Sequence, residues 1–375
     1  MKNHDVLLLI EPWPAERFRG IARFAKAAGW HVMMEDPRNP PPVWNGDGAL
    51  VMMNDDNPAL TALVRKLRRQ GRPVVDLICA QPRIRLPRVI GDHRQIGRLA
   101  AEHFAERHYT RLAWFSAAWS YVHQQRFAGF AKAAGSSPLR WVWTKHCPPQ
   151  GEHDWRRLSK WLGDQLAAAP KPIGVLAYAD YDATLLLNTC LERGLAVPEE
   201  VAILGVDNYA LLCENQPVPI SSVFHDHEAV GYEAAALLEE LMNGTVRGTP
   251  CRLVPPRGVV LRTSTDAVAA ADPLVRQALV HIGNNLDHAF GLAQVSEACQ
   301  VRPVVLAAAF NRAFGHSVGD EILRQRLVRA KRLFRETSLT SSEVARRTGF
   351  CNAAYLSNVF KRETGQTPRA FRRQA

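Results

Sequence analysis

Thr340-Ser-Ser-Glu-Val-Ala-Arg-Arg-Thr-Gly-Phe350, followed by Leu356, Phe360 and Gly365, decides how the C-terminal part of the chain folds. Thr340 to Glu343 has the pattern of a capping box, in which the first side chain and the fourth satisfy each other's backbone N–H, so a short helix opens here. Gly349 tolerates positive φ and supplies a tight turn. A second helix is expected from about Asn352 to Glu363. Short helix, tight turn and second helix on one apolar core make a helix-turn-helix, whose second helix enters the major groove of DNA.

The stretch has an earlier copy. Val295-Ser-Glu-Ala-Cys-Gln-Val301 precedes Leu306, Phe310 and Gly315, and these last three stand at an offset of 50 from Leu356, Phe360 and Gly365. Between the copies, Asp320 to Arg335 is amphipathic, with Leu323, Leu327, Ala330 and Phe334 on one face. One stiff helix can hold two reading heads at a fixed separation. Asp272-Pro273 opens the region as N-cap and first helical residue. No strand alternation follows it.

Charge divides the same way. The chain has 375 residues and a formal net charge of +11. From Asp272 to Ala375 there are 16 Lys+Arg and 8 Asp+Glu, whereas all nine Trp lie between Trp13 and Trp161. The basic excess therefore belongs to the C-terminal module and points to nucleic acid. Val6 to Ile10 is the longest apolar run near the start, too short for a signal-peptide core or a membrane span. Seven scattered Cys without a Cys-x-x-Cys pair fit reduced thiols in a cytoplasmic protein. Neither His146-Cys147 nor His225-Asp226-His227 has a complete four-ligand spacing, so no metal and no cofactor are expected.

The first 265 residues alternate short apolar runs with helical stretches. Strands are expected at Val6–Ile10, Ala49–Met53, Pro73–Ile78, Arg111–Ser116, Trp141–Trp143, Ile173–Tyr178 and Val201–Val206. Helices are expected at Glu16–Ala28, Ala59–Gln70, Gly97–Arg107, Gln124–Ala134, Asp154–Ala168 and Ala183–Arg193. Such alternation implies parallel α/β sheets, and its length implies two lobes. The expected division is 1–265 for the two-lobed module, 266–272 for a linker and 273–375 for the helical module. Ligands bind at the carboxyl ends of strands in such folds.

The tail resembles the DNA-binding domain of the AraC family. The resemblance rests on Ala330-Lys331 with Leu333, Ser342-Glu-Val-Ala345, Gly349-Phe350, Tyr355-Leu-Ser-Asn-Val-Phe-Lys-Arg362, Gly365, Thr367-Pro368 and Phe371-Arg372. Two departures stand out. Gln300 replaces the turn glycine of the first copy, and Val304, Ala307 and Ala308 stand where the family presents polar readers. In the second copy Ala353 and Ala354 occupy matching positions, leaving Asn352 and Asn358 as polar candidates. Val and Ala can touch only thymine methyls, so base contacts should be few. Arg302, Arg312, Arg346, Arg347, Lys361 and Arg362 are the phosphate candidates.

The first module resembles the LacI/GalR-type sugar sensor, related to periplasmic sugar-binding proteins. Gly91-Asp92 with Gly97, Arg126-Phe-Ala-Gly-Phe130, Asp180 with Ala183 and Val197-Pro-Glu-Glu-Val-Ala-Ile-Leu-Gly-Val-Asp207-Asn208 carry it. The fold implied is an α/β two-lobed periplasmic-binding-protein-like sensor, plus an all-α double helix-turn-helix domain. By resemblance Asp92, Arg126 and Asp207 point into the cleft, and Asp180, Trp155 and His225 stand where the family has cleft or hinge residues. Glu11, Trp13 and Arg17 follow the first strand as neighbours. Carboxylates and guanidinium groups suit sugar hydroxyls, and aromatics suit the ring face.

A LacI-type sensor followed by an AraC-type head resembles the xylose-operon regulators. That resemblance implies a cytoplasmic, homodimeric, sugar-responsive transcription activator. Its partners would be double-stranded DNA, xylose or a related sugar, and RNA polymerase, with no membrane. A repressor relieved by its ligand would use the same parts. An α/β enzyme with an accessory DNA module is the rival reading. Against it, no Gly-x-x-x-x-Gly-Lys or Gly-x-Gly-x-x-Gly occurs.

Overall fold

The structure is a computed structural model describing residues 3–11, 14–53, 57–135, 137–143, 155–266 and 272–373. The first lobe opens with β1 (Asp5–Leu9), α1 (Ala15–Ala28), β2 (His31–Met34), β3 (Gly48–Val51), α2 (Pro58–Arg69), β4 (Val74–Asp76) and β5 (Arg88–Gly91). The second lobe takes α3 (His93–Ala105), β6 (Leu112–Ser116), α4 (Tyr121–Ala134), β7 (Leu139–Val142), α5 (Trp155–Ala168) and β8 (Ile173–Ala177). It continues through α6 (Asp180–Glu192), β9 (Val201–Val206), α7 (Ala210–Glu214) and β10 (Ser221–Val223). Then α8 (His227–Met242) and β11 (Cys251–Val254) return to the first lobe, and β12 (Val259–Val260) goes back to the second.

Each lobe is built on a six-stranded sheet. The orders are β11-β5-β4-β3-β1-β2 and β12-β10-β9-β8-β6-β7. All pairings are parallel except that of β12 with β10. The strands expected as continuous apolar runs are buried on both faces, as parallel sheets require. The sequence reading has no counterpart for β2, β5 and β10 to β12. These are four residues or fewer, too short to show a period, and neighbouring strands complete them.

Helices α1 and α8 pack in the first lobe as α4 and α3 pack in the second. A Cβ at Gly20 would stand 2.0 Å from the Glu228 carbonyl oxygen, and one at Gly129 would stand 2.0 Å from that of Arg94. Glycine at both places lets the paired backbones touch.

The C-terminal module is entirely helical over its described residues. Asp272 caps α9 (Pro273–Asn284), accepting from Leu274 N at 2.9 Å. Then come α10 (Leu292–Ala298), α11 (Pro303–Phe314), α12 (Val318–Glu336), α13 (Ser341–Arg347), α14 (Ala353–Thr364) and α15 (Pro368–Arg373). The expected capping box is present: Thr340 Oγ1 accepts from Glu343 N, and Thr340 N donates back to Glu343 Oε2 at 2.7 Å. Both turns are left-handed, at Gly349 (φ 67°) and Gln300 (φ 57°). The two opening helices are therefore offset by 49 residues and the second helices by 50, with one residue absorbed in the turn. Val318 and Ile322 of α12 pack in the first core with Phe310, and Leu327, Ala330 and Phe334 pack in the second with Phe360. Truncating either buried phenylalanine to alanine would cost about 3–5 kcal/mol. Among the described residues no helix is long and apolar enough to cross a membrane.

Candidate ligand cleft and DNA interface

The chain crosses between lobes next to Asp92 and Asp226, and each caps the helix that begins there. Asp92 Oδ1 accepts from Gln95 N at 2.9 Å, and Asp226 Oδ1 accepts from Ala229 N at 3.0 Å. Capping places the next residue, His93 or His227, in the first turn facing the space between the lobes. Both histidines meet a buried arginine. Arg126 approaches His93 Nδ1 at 3.3 Å, and Arg17 approaches His227 Nδ1 at 3.1 Å. Arg126 also donates to the Tyr178 carbonyl oxygen and lies over the Tyr178 ring. Arg17 and Arg126 are 5% and 2% exposed, and the Nε of each has no hydrogen-bond partner. A buried guanidinium N–H without a protein acceptor is what a ligand oxygen would satisfy.

Asp207 is the centre of the cluster. It follows β9 with φ 104°, and Asn208 has φ 57°. Two successive non-glycine residues at positive φ store backbone strain, of order 1–3 kcal/mol each. The Asp207 N–H to Val223 O bond (3.0 Å) and the Arg262 bond to Asn208 Oδ1 (2.9 Å) hold the turn. Asp207 Oδ1 accepts from His225 Nδ1 at 3.2 Å and His227 Nε2 at 3.1 Å. Since Arg17 can only donate, His227 Nδ1 is the acceptor and its proton sits on Nε2. Burial strongly opposes the charge on Asp207, but the two histidine bonds and nearby Arg126 outweigh it and hold the carboxyl below its ordinary range. Burial keeps both histidines neutral, His225 down to about 3. Asp207, His225 and His227 bring three potential metal-ligand atoms together, as do His108, His316 and Glu321, but Asp207 is already bonded to both of its histidines.

Asp180 departs from its expected role. Its two carboxylate oxygens accept from Ser222 Oγ at 2.6 Å and Tyr209 N at 2.8 Å, so it braces the Asp207 loop from beneath instead of presenting a free carboxylate. Burial, then the charge of Asp207, pushes it up to about 7. Trp155 also departs: it opens α5 with 43% exposure and takes no part in the buried cluster. Glu11 is exposed just beyond β1, and Trp13 lies outside the described residues. His93, His227, Tyr178 and Tyr209 were not anticipated. The missed signal is a repeat: Arg17-Phe-x-Gly20 matches Arg126-Phe-x-Gly129, and Asp226-His227 with Gly231 matches Asp92-His93 with Gly97.

In the helical module, Arg302, Arg312, Arg346, Arg347, Lys361 and Arg362 are all exposed, with Arg362 bonded to Glu363 at 2.8 Å. On α11, Val304 and Val305 are 67% and 42% exposed, Ala308 is exposed and Ala307 half-buried. On α14, Ala354 and Asn358 are exposed and Ala353 half-buried. Asn352 is the N-cap of α14, its side-chain Oδ1 accepting from Tyr355 N at 2.8 Å while its side-chain N–H groups stay available to a base. Tyr355, 48% exposed, is the counterpart of Val305 at the offset of 50.

Comparison with known proteins bears on both modules. Residues 101–265 match the periplasmic binding protein-like domain and residues 295–374 match a helix-turn-helix domain. The xylose operon regulatory protein of Haemophilus influenzae is 33% identical over 219 residues, 56% of this chain and 56% of that protein. The protein of that name from Escherichia coli K12 is 30% identical over 219 residues, 58% of this chain and 56% of its own length. The chain thus spans little more than half the length of the curated relatives it matches. A solved structure described as the xylose-binding transcription activator xylR covers 100% of this chain and 98% of its own, with a TM-score of 0.60 and 24% identity. The chain therefore joins a member of the periplasmic-binding-protein-like domain family to a C-terminal member of the helix-turn-helix domain family, an arrangement it shares in fold with that activator.

Proposed function

We propose that this protein is a sugar-responsive, DNA-binding transcription regulator, that its ligand is xylose or a related pentose, and that it activates transcription as a cytoplasmic homodimer engaging RNA polymerase. The observation that carries the reading is the buried cluster of Asp207, Arg17 and Arg126 between two sheets, in one chain with paired helix-turn-helix units. A neutral polyol would offer oxygens to both guanidinium groups and hydroxyl donors to Asp207. The names of the two xylose regulators support the choice of sugar. Ligand acts only through its different affinities for two lobe arrangements, each of which places the DNA module differently.

Calorimetric titration with pentoses and hexoses tests this. Xylose should give heat that Asp207→Ala abolishes, while basal DNA affinity persists. No heat with any sugar, in protein that still binds DNA, would sink the sensor reading. Loss of DNA affinity in the same variant would make Asp207 a folding residue.

A further inference from the structure

His108 stands just beyond α3, on the sensor, in a left-handed conformation (φ 61°) unusual for a non-glycine residue. Its ring stacks on Phe314, the last residue of α11, with centroids 4.1 Å apart and planes 25° apart. Its Nε2 lies 2.9 Å from Glu321 Oε2 and 2.9 Å from the Arg324 guanidinium, both in the first two turns of α12. Glu321 is fully buried there, bonded by Arg324 at 2.7 Å and Gln325 at 2.8 Å, with His316 Nε2 3.6 Å away. One sensor side chain therefore grips the corner between the first reading helix and the connecting helix.

The helix-turn-helix fold does not itself require this corner. At the offset of 50, the counterparts of Phe314, His316 and Glu321 in the second copy are Thr364, Gln366 and Phe371. There Phe371 meets Phe360 edge to face at 5.2 Å, and among the described residues no buried carboxylate stands at the corner. The special residues are thus in the copy that meets the sensor. Helix α3, which ends beside His108, begins at the Asp92 cap and His93 in the candidate cleft. Thirteen residues make it a rod of about 20 Å. Its C-terminal end also holds the exit of the sensor: His103 Nε2 lies 2.8 Å from Thr265 Oγ1, and Arg107, just past the helix, donates from Nε to the Thr265 carbonyl oxygen at 2.9 Å.

We infer that His108 is a positioning residue, the contact through which the second lobe carries the first helix-turn-helix with it when the lobes move. This rests on the sensor reading above. His108 touches neither ligand nor DNA; it fixes the orientation of α11 relative to the lobe that α3 belongs to.

The test uses the full chain and two variants. His108→Asn removes the ring but tolerates positive φ, and Phe314→Thr installs the residue of the second copy. Hydrogen exchange from Phe314 to Gln325 is measured without sugar. Affinity is measured with and without xylose, for a duplex selected from random sequences by the wild-type chain. Both variants should lose protection at the corner and keep wild-type xylose affinity. The ratio of DNA affinities with and without xylose, about 5–150-fold for an ordinary allosteric coupling, should fall to about one. Unchanged protection overturns the contact. Lost protection with a wild-type ratio overturns its role in coupling. A wild-type chain without any sugar response would sink the sensor reading instead, and the exchange data would still decide the contact.

Discussion

Arg17 and Arg126 hold the same position in two repeats, one in each lobe. Each begins an Arg-Phe-x-Gly run on a helix, and each meets Nδ1 of the histidine that follows a capping aspartate on the partner helix. Each keeps its buried Nε without a hydrogen-bond partner. A site between the lobes can thus be gripped symmetrically, with one guanidinium from either side.

Replacing either arginine by methionine should weaken sugar binding by about 1.5–3 kcal/mol, the range for a hydrogen bond to a charged group. Calorimetry should show similar losses for the two variants with basal DNA affinity unchanged. Wild-type affinity in Arg17→Met would confine the ligand to the second lobe.

Gly91→Ala should act on the same site through packing. The new Cβ would stand 2.1 Å from His225 Nε2, so the ring must leave its bond to Asp207. Sugar affinity should drop although no ligand contact is altered directly. An unchanged affinity would show that His225 does not orient Asp207.

Acid should destabilise the sensor. His93, His103, His123, His225 and His227 all have pKa values lowered chiefly by burial, His123 and His225 to about 3. Below pH 6.5 the unfolded chain protonates these side chains and the folded chain does not, so stability falls with pH. Asp180 and Asp182 act oppositely. Burial raises both to about 7, so they take up protons on folding between pH 7 and 3.8 and gain stability as pH falls. Burial raises Glu106 as well, but five lowered histidines outnumber these three carboxyls, and each net proton contributes a slope of about 1.4 kcal/mol per pH unit. Calorimetric Tm should fall from pH 7 to pH 5. A level Tm would mean that the histidines are solvated.

Much of this architecture is legible in the sequence because buried parallel strands are continuous apolar runs and helices carry their own punctuation. Val201–Val206 matches its expected bounds, and Asp272-Pro273 and Thr340–Glu343 cap the helices they were expected to cap. The site was less legible. Asp207, Arg126 and His225 do converge, yet His93 stands 33 residues from its partner Arg126 and His227 stands 210 from its partner Arg17, and the crossovers bring them together. Asp180 looked like a ligand because a buried carboxylate that braces a loop and one that binds a sugar share one sequence pattern. Only the positions of Ser222 and Tyr209 N separate them.

The two left-handed turns should respond oppositely to substitution. Gly349→Ala meets both an unfavourable φ and the Leu286 carbonyl oxygen 2.3 Å from the new Cβ. It should cost well over the roughly 1–2 kcal/mol of a left-handed residue alone. Gln300→Gly relieves the same backbone conformation in the first copy and should stabilise it by up to about 1 kcal/mol. Calorimetry of the full chain can read both. Equal, small effects would mean that the turns relax freely.

On DNA, charge and side-chain shape should separate. Arg346→Ala removes an exposed cation at the end of α13. It should weaken binding to all duplexes alike and lower the slope of log K against log salt by about one. Val304→Ala removes two methyl groups from a 67% exposed valine with no charge to lose. Its cost should be at most about 1.5 kcal/mol and confined to sites with a thymine beneath α11, with the salt slope unchanged. Duplexes carrying uracil in place of that thymine should bind the wild type as weakly as they bind the variant. If Val304→Ala instead weakens all sequences equally, α11 does not read bases through its apolar face, and discrimination must come from α14 or from DNA shape.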